Sequence, residues 1–225
     1  MRLTTWPACV QLARLIQKLS GLKFRGLMTF FANIWGTEED RLKQTRQVAR
    51  AVEQALEAFA REHLPIEIVS GGSTPSALLS HYIPGLTEIR PGTYAYNDLN
   101  TFYQGVCQIE DCAAHVVTTV VSTAVPRRAI IDAGSKMFSS DTLLSGSKTG
   151  CGYVLEHPEV TLPALDEEHG FLDITGSSRC FRVGEVLTVI PNHVCTCVNM
   201  QNEVFLLRDG EVAGEWVVAG RGKVR

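Results

Sequence analysis

The sequence predicts an α/β portion followed by an all-β portion: the C-terminal part of a (β/α)8 barrel, then an antiparallel β-sheet or barrel. Three observations carry this reading. Helical periods alternate with short apolar runs as far as about Tyr103. Beyond Cys107, Val, Thr, Ile and Gly recur at short intervals with almost no helical period. The first portion holds only three strand signals in roughly 100 residues, whereas a closed barrel needs eight strands and about 250 residues. It reads as the end of a barrel whose beginning is absent.

Val10, Leu12, Ala13, Leu15, Ile16 and Leu19 form one helical face that stops at Ser20-Gly21. Phe24 to Phe30 reads as a strand. Glu38 to His63 reads as a long amphipathic helix, acidic at its start and closed before Pro65. A buried strand at Ile66 to Val69, a short helix at Pro75 to His81 and a strand at Leu86 to Ile89 complete an α-β-α-β-α-β order, which implies parallel strands with right-handed crossovers. We divide the chain into a first domain over 1–104 and a second over 105–225. In the second, Ala114 to Ser122, Arg128 to Asp132, Gly152 to Val154, Val186 to Ile190, Val194 to Met200 and Glu203 to Leu207 read as strands. Arg208-Asp209-Gly210-Glu211 signals a hairpin into Val212 to Val218.

Composition narrows the function. The 225 residues are 45% hydrophobic and 20% charged, with a formal net charge of −3. Lys and Arg form no run of five, which argues against an electrostatic nucleic-acid binder and for a small-molecule partner. Seven cysteines without paired spacing fit a reducing, cytoplasmic compartment. The N-terminus lacks the pattern of a signal peptide, and no segment has the uninterrupted apolar length of a membrane span.

Two segments carry chemistry. Pro191-Asn192-His193-Val194-Cys195 follows an apolar run and reads as the continuation of a strand, where alternate side chains share a face. His193 and Cys195 can then grip one borderline cation such as Zn²⁺, with a third ligand from elsewhere or from substrate. Cys197 continues the parity. The same spacing also fits ordinary half-buried strand residues, the commoner case for free cysteine. In Ser70-Gly71-Gly72-Ser73-Thr74-Pro75, between a strand and a helix, Thr74 suits the N-cap and Pro75 the first helical position. Exposed amides at Gly71 and Gly72 and the hydroxyls of Ser73 and Thr74 can hold a phosphate, or the segment can be a well-made turn without a ligand. Tyr94, Tyr96 and Asn97 follow the next strand, at the end of the sheet where α/β folds bind ligands. Alternatively, both tyrosines pack at a domain junction.

The ordered motifs Ser70-Gly71-Gly72-Ser73-Thr74-Pro75, Glu88-Ile89-Arg90-Pro91-Gly92-Thr93-Tyr94 with Asn97-Asp98, Ile131-Asp132-Ala133-Gly134-Ser135-Lys136, Glu167-Glu168-His169-Gly170 and Pro191-Asn192-His193-Val194-Cys195 resemble the D-threonine aldolase and eukaryotic-type D-serine dehydratase family. The resemblance implies an alanine-racemase-like (fold type III) arrangement, a pyridoxal-phosphate barrel followed by a metal-binding β domain. By it, Gly71, Gly72, Ser73 and Thr74 hold the cofactor phosphate, Tyr94 lies beside the cofactor, and His193 with Cys195 binds Zn²⁺ or another divalent metal. The implied activity is a lyase for D-β-hydroxy amino acids, of dehydratase or aldolase type, working as a homodimer. Glu168-His169 receives no role.

The chain also departs from the family. The family's Schiff-base lysine lies near the first barrel strand. None of the six lysines here, at 18, 23, 43, 136, 148 and 223, has that context. Lys136 reads as a solvated turn lysine. Phe30-Phe31-Ala32-Asn33 stands where a Gly- and His-containing stretch is expected, so residues 31–37 depart locally. The chain alone is therefore expected to be inactive, with a non-catalytic metal- or phosphate-binding remnant, or an interaction surface, as the alternative function.

Overall fold

The structure is a computed structural model and describes residues 6–31, 34–144 and 150–223; Ala32, Asn33 and Lys148 lie outside them. The chain divides into two compact units, Met1–Tyr94 and Ala95–Arg225.

In the first unit the order is α1 (Trp6–Gln17), β1 (Gly26–Met28), α2 (Glu38–Arg61), β2 (Ile68–Gly71), a 3-10 helix (Thr74–Tyr82) and β3 (Glu88–Ile89). The three strands pair in the order β1-β2-β3, both pairs parallel, as the α-β alternation predicts. Thr37 caps α2: the Asp40 N–H donates to its Oγ1 at 3.2 Å, while the Thr37 N–H donates back to the Asp40 carboxylate at 3.2 Å. Glu38, Glu39 and Asp40 add negative charge where the helix dipole favours it. Thr45, Ala49, Val52, Ala55 and Phe59 recur every three or four residues and are buried. This stripe packs with Phe31, Ile34, Val69 and Ile83 at one end and with Val10, Ala13 and Leu64 at the other. The helix ends where His63 takes a positive φ of 53° ahead of Pro65.

The second unit is built on six antiparallel strands: β4 (Val116–Ser122), β5 (Arg128–Ile131), β6 (Gly152–Val154), β7 (Thr161–Leu165), β8 (Gly170–Asp173) and β9 (Val186–Pro191). Their order is β6-β9-β4-β5-β8-β7, and the Cys151 N–H donates to the Leu162 carbonyl at 2.8 Å, which brings the two end strands together into a nearly closed barrel. Along β4, Val116, Thr118 and Val120 are buried while Val117 and Val121 face out, the alternation of a half-buried strand. Val120, Ala129, Ile131, Leu162, Leu172 and Val189 fill the interior at zero exposure. The hairpin forms as its turn signal predicts. Strands β10 (Glu203–Arg208) and β11 (Glu211–Val217) are joined by Asp209 and Gly210, both at positive φ.

Three features of this unit differ from the sequence reading. Strands β7 and β8 carried no strand signal, because Pro163 interrupts one and the other is four residues long behind the acidic Asp166-Glu167-Glu168. Three short helices interrupt the β pattern: α3 (Leu99–Tyr103), α4 (Ser135–Phe138) and α5 (Val194–Asn199). Val194 to Met200, read as a strand, is therefore a helix. No helix among the described residues is long and apolar enough to cross a membrane.

Candidate functional site

Strand β9 ends at Pro191, and His193 is the N-cap of α5 at φ −139° and ψ 112°. The alternating-face argument for His193 and Cys195 therefore fails, because Cys195 lies in the first turn of a helix. What fixes that helix start comes from elsewhere in the chain. Asp98, the N-cap of α3, is fully buried at 0% exposure. Its Oδ1 accepts the Thr101 N–H at 2.9 Å, a normal N-terminal cap. Its Oδ2 faces α5 and accepts the Val194 N–H at 3.0 Å, with His193 Nδ1 at 3.1 Å. One carboxylate thus closes the starts of two helices.

The electrostatics follow from that geometry. Burial pushes the Asp98 carboxyl up, but the hydrogen bonds from His193, Thr101 and Val194 outweigh it and hold the group below the ordinary carboxylate range. The hydrogen bond to Asp98 lifts His193 above its ordinary value against the opposing effect of burial, and the charges of Asp98 and Asp141 add to the rise. An ionised Asp98 only accepts, so Nδ1 carries the imidazole proton, and in the neutral ring Nε2 is left with its lone pair. Cys195 keeps solvent exposure. Partial desolvation, then the charges of Asp98 and Asp141, push its thiol up. A negative field that disfavours a thiolate favours a cation that would stabilise one. Cys197 is a different case: it is buried in the barrel core, and desolvation pushes its thiol up to about 11.

Among the described residues, no cluster of three or more His, Cys, Asp or Glu side chains is arranged to hold a metal. The donor set at α5 is an imidazole with a free Nε2 and a thiol, and it fits a divalent ion with open positions. Around it, Asn192 is buried, and its Nδ2 donates to the carbonyls of Asp141 at 3.0 Å and Gly150 at 2.8 Å. The Thr196 hydroxyl donates to Asp141 Oδ2 at 2.6 Å.

In the first unit, Gly71 ends β2, and a Cβ there would sit 2.5 Å from Cζ of Phe31. Gly72 has φ +98°, which a residue with a side chain rarely adopts. The helix cap is Ser73, one residue earlier than the sequence suggested: its N–H donates to Ser76 Oγ at 2.9 Å. Thr93 donates to Thr74 Oγ1 at 2.9 Å, which leaves the Thr74 hydroxyl proton free to donate. The N–H groups of Gly72 and Thr74 donate to no described residue. Ser70 Oγ is buried without a partner among the described residues, a cost that a polar ligand relieves. The hydroxyl of Ser73, by contrast, lies 3.4 Å from Ser76 Oγ and 3.5 Å from the Phe31 carbonyl. Free amides, a free hydroxyl and an orphaned one fit an anion such as a phosphate. Tyr94 is 62% exposed, in a single 3-10 turn over Thr93–Ala95. Tyr96 is half-buried.

Two family models match the chain, "Alanine racemase, N-terminal domain" over residues 4–100 and "Putative serine dehydratase domain" over residues 113–207. D-threonine aldolase of Arthrobacter sp is 28% identical over 218 residues, which are 94% of this chain and 55% of that protein. D-threo-3-hydroxyaspartate dehydratase of Delftia sp. (strain HT23) is 33% identical over 192 residues, 78% of this chain and 50% of that protein. The solved Delftia structure superposes with a TM-score of 0.84 at 30% identity, covering 95% of this chain and 60% of that one.

The chain belongs to the D-threonine aldolase and D-serine dehydratase family.

This chain spans about half the length of the curated relatives it matches. D-threonine aldolase from Filomicrobium marinum, with a TM-score of 0.80 at 24% identity, shares the alanine-racemase-like fold. Solved variants of D-threo-3-hydroxyaspartate dehydratase replace a histidine, or a cysteine two positions after it, by alanine, and the cysteine variant is in the metal-free form. Asn97-Asp98 belongs to the family pattern in the sequence, but nothing near it in the sequence points to what Asp98 does. A buried carboxylate that serves two helices 95 positions apart leaves no local signal.

Proposed function

We propose that this chain carries the cofactor-phosphate cradle and the metal-binding pair of a pyridoxal-phosphate- and divalent-metal-dependent lyase for D-β-hydroxy amino acids. The observation that carries the reading is His193, held through Nδ1 by buried Asp98, with Cys195 two residues on. It is supported by the same histidine-cysteine spacing in the dehydratase variants. When bound, pyridoxal phosphate supplies an electron sink at the substrate Cα and the metal ion a Lewis acid at its β-hydroxyl. The chain's own residues bind and orient. The N–H groups of Gly72 and Thr74 and the Thr74 hydroxyl donate to the phosphate, with Ser70 and Ser73 at the same turn and Gly71 keeping the backbone close. By the family resemblance, Tyr94 would flank the cofactor. Nε2 of His193 and the Sγ of Cys195, its proton displaced, hold Zn²⁺ or another divalent ion. Whether the hydroxyl leaves or is deprotonated distinguishes dehydratase from aldolase chemistry, and both fit these groups. Seven cysteines, all free in this fold, suit the cytoplasm, and we assign the working form as a homodimer.

Titration of the full chain with Co²⁺ tests the metal pair. A thiolate-to-cobalt charge-transfer band that disappears in both His193→Ala and Cys195→Ala supports it; a band retained in Cys195→Ala removes it. Equilibrium dialysis of pyridoxal phosphate against the full chain and Thr74→Val tests the cradle, with weaker retention by the variant expected. A second reading, a non-catalytic metal- and phosphate-binding protein, is favoured by one observation: the five described lysines are all exposed. Turnover of D-threonine or D-serine by the loaded chain would exclude it.

A further inference from the structure

We propose that Asp98 is the positioning residue for both metal-binding side chains, aiming Nε2 of His193 and setting the helix turn that presents Cys195. This rests on the metal pair proposed above and adds the residue that makes the pair a pre-formed site. A histidine ring on an N-cap has two free torsions and two tautomers; a binding site needs one of each. A hydrogen bond from Nδ1 to a carboxylate selects both, and in metal sites such partners stiffen the ligand and raise its basicity. Asp98 supplies that bond at 3.1 Å.

The second contact is less usual. The same Oδ2 accepts the Val194 N–H at 3.0 Å, the first amide of α5. Val194, Thr196 and Val198 are β-branched and poor at starting a helix, and His193 makes no side-chain cap of its own. The Asp98 carboxylate therefore stands in for the missing cap. Without it, the turn carrying Cys195 loses a buried acceptor and the segment regains the extended tendency its composition favours.

Asp98 is in turn held in place by its own helix start. It is fully buried, its Oδ1 is held by the Thr101 N–H at 2.9 Å, and its own N–H donates to Thr101 Oγ1 at 2.8 Å. The carboxylate reaches α5 from a helix start locked by this reciprocal cap. These four hydrogen bonds, to Thr101, His193 and Val194, leave it as a support for the ligands rather than a ligand itself.

The test uses the full chain, its Asp98→Asn variant and a Thr101→Ala control. Co²⁺ affinity is measured by competition with a chromophoric chelator, and the imidazole of His193 is followed by ¹⁵N NMR in the metal-free protein. Expected is a loss of affinity in Asp98→Asn on the order of 10- to 100-fold, with a weakened thiolate band and a His193 ring no longer confined to the Nδ1–H tautomer. Thr101→Ala keeps both Oδ2 contacts; it lowers stability but holds affinity within about threefold of the parent. Equal affinity in the parent and Asp98→Asn, or a parent His193 ring that is not Nδ1–H, overturns the proposal. A parent chain that binds no Co²⁺ overturns the metal reading itself, and a fixed Nδ1–H tautomer in that same sample shows that the failure lies there and not in the Asp98 contact. If Asp98→Asn does not fold, Asp98→Glu replaces it. Its longer arm displaces the carboxylate, and unchanged affinity there is equally fatal.

Discussion

The side-chain amide of Asn100 donates to the main-chain carbonyl of Asn192 at 2.9 Å, across 92 positions of sequence. The Asn192 carbonyl also receives the Asn100 N–H at 3.3 Å, and Asn100 Oδ1 accepts the Leu144 N–H at 2.8 Å. Asn192 repeats the pattern outward: its Nδ2 faces the carbonyls of Asp141 and Gly150, which also fixes the amide orientation, since the opposite one would set oxygen against two oxygens. Two asparagines thus replace regular ladder bonds where β9 gives way to α5. Asn192→Ala strips the donor from two carbonyls around a buried site, and we expect a loss of on the order of 1–3 kcal/mol. Urea denaturation of the metal-free chain checks it, and an unchanged midpoint would show that water serves those carbonyls.

The glycine pair at the end of β2 should respond unequally to alanine. At Gly71 the new Cβ meets the ring of Phe31 at 2.5 Å, and that ring is buried in the core beneath α2, so repacking costs about 1–3 kcal/mol. At Gly72 the nearest atom is Ser76 Oγ at 3.4 Å; space is adequate and the cost is the positive φ, roughly 1–2 kcal/mol. Gly72→Ala relaxes by turning its backbone. Its retention of pyridoxal phosphate should therefore fall more than its stability does. Dialysis and urea midpoints on the two variants separate these effects, and identical ratios for both would deny the turn a ligand-binding role.

What was readable in the sequence divides along local and non-local lines. Helix α2 was legible because its acidic first turn, its apolar stripe and its stop before Pro65 all lie within the helix or beside it. The Asp209-Gly210 hairpin was legible for the same reason. Helix α5 was not. Its β-branched residues point to a strand, and the first amide of the helix is held by a carboxylate from 96 positions away. The helix buries Val194 and Cys197, three apart, a spacing that the alternation of His193, Cys195 and Cys197 masks in the sequence. His193 and Cys195 were thus singled out as a pair through a strand geometry that the fold replaces.

Acid stability should depend on two carboxylates that brace β4 and β9. Asp132 Oδ1 accepts the Thr118 hydroxyl at 2.7 Å and the Thr119 N–H at 2.8 Å; both oxygens of Glu156 lie 3.0 Å from the Thr188 nitrogen. Partial desolvation raises each carboxyl, and these hydrogen bonds more than offset it, so both titrate below their ordinary values of 3.8 and 4.5. On the acid side the unfolded chain then binds more protons than the folded one. The stabilisation is complete above those ordinary values and is lost as pH falls through the depressed folded ones. Asp132→Asn with Glu156→Gln should lower the urea midpoint at about pH 6 and flatten its decline toward about pH 3. A decline as steep as the parent's would place the acid sensitivity elsewhere.

Lys136 should not form a Schiff base with pyridoxal phosphate. An amine must be unprotonated to attack an aldehyde, and enzymes achieve this by burying the lysine or placing a cation beside it. Lys136 has the opposite surroundings. It sits exposed on α4, ion-paired with Glu168, whose hydrogen bond and charge, with the charge of Glu167, raise its pKa. Lys23 likewise pairs with Glu67 at 3.5 Å, and Lys18, Lys43 and Lys223 are exposed. Borohydride reduction of the full chain with stoichiometric pyridoxal phosphate and Zn²⁺, followed by peptide mapping, should leave Lys18, Lys23, Lys43, Lys136 and Lys223 unlabelled or label them diffusely. Lys136→Met should not change the total. A single stoichiometric label on Lys136 would mean that the Glu168 pair opens on cofactor binding, and it would move the chemistry from the first unit to the β unit.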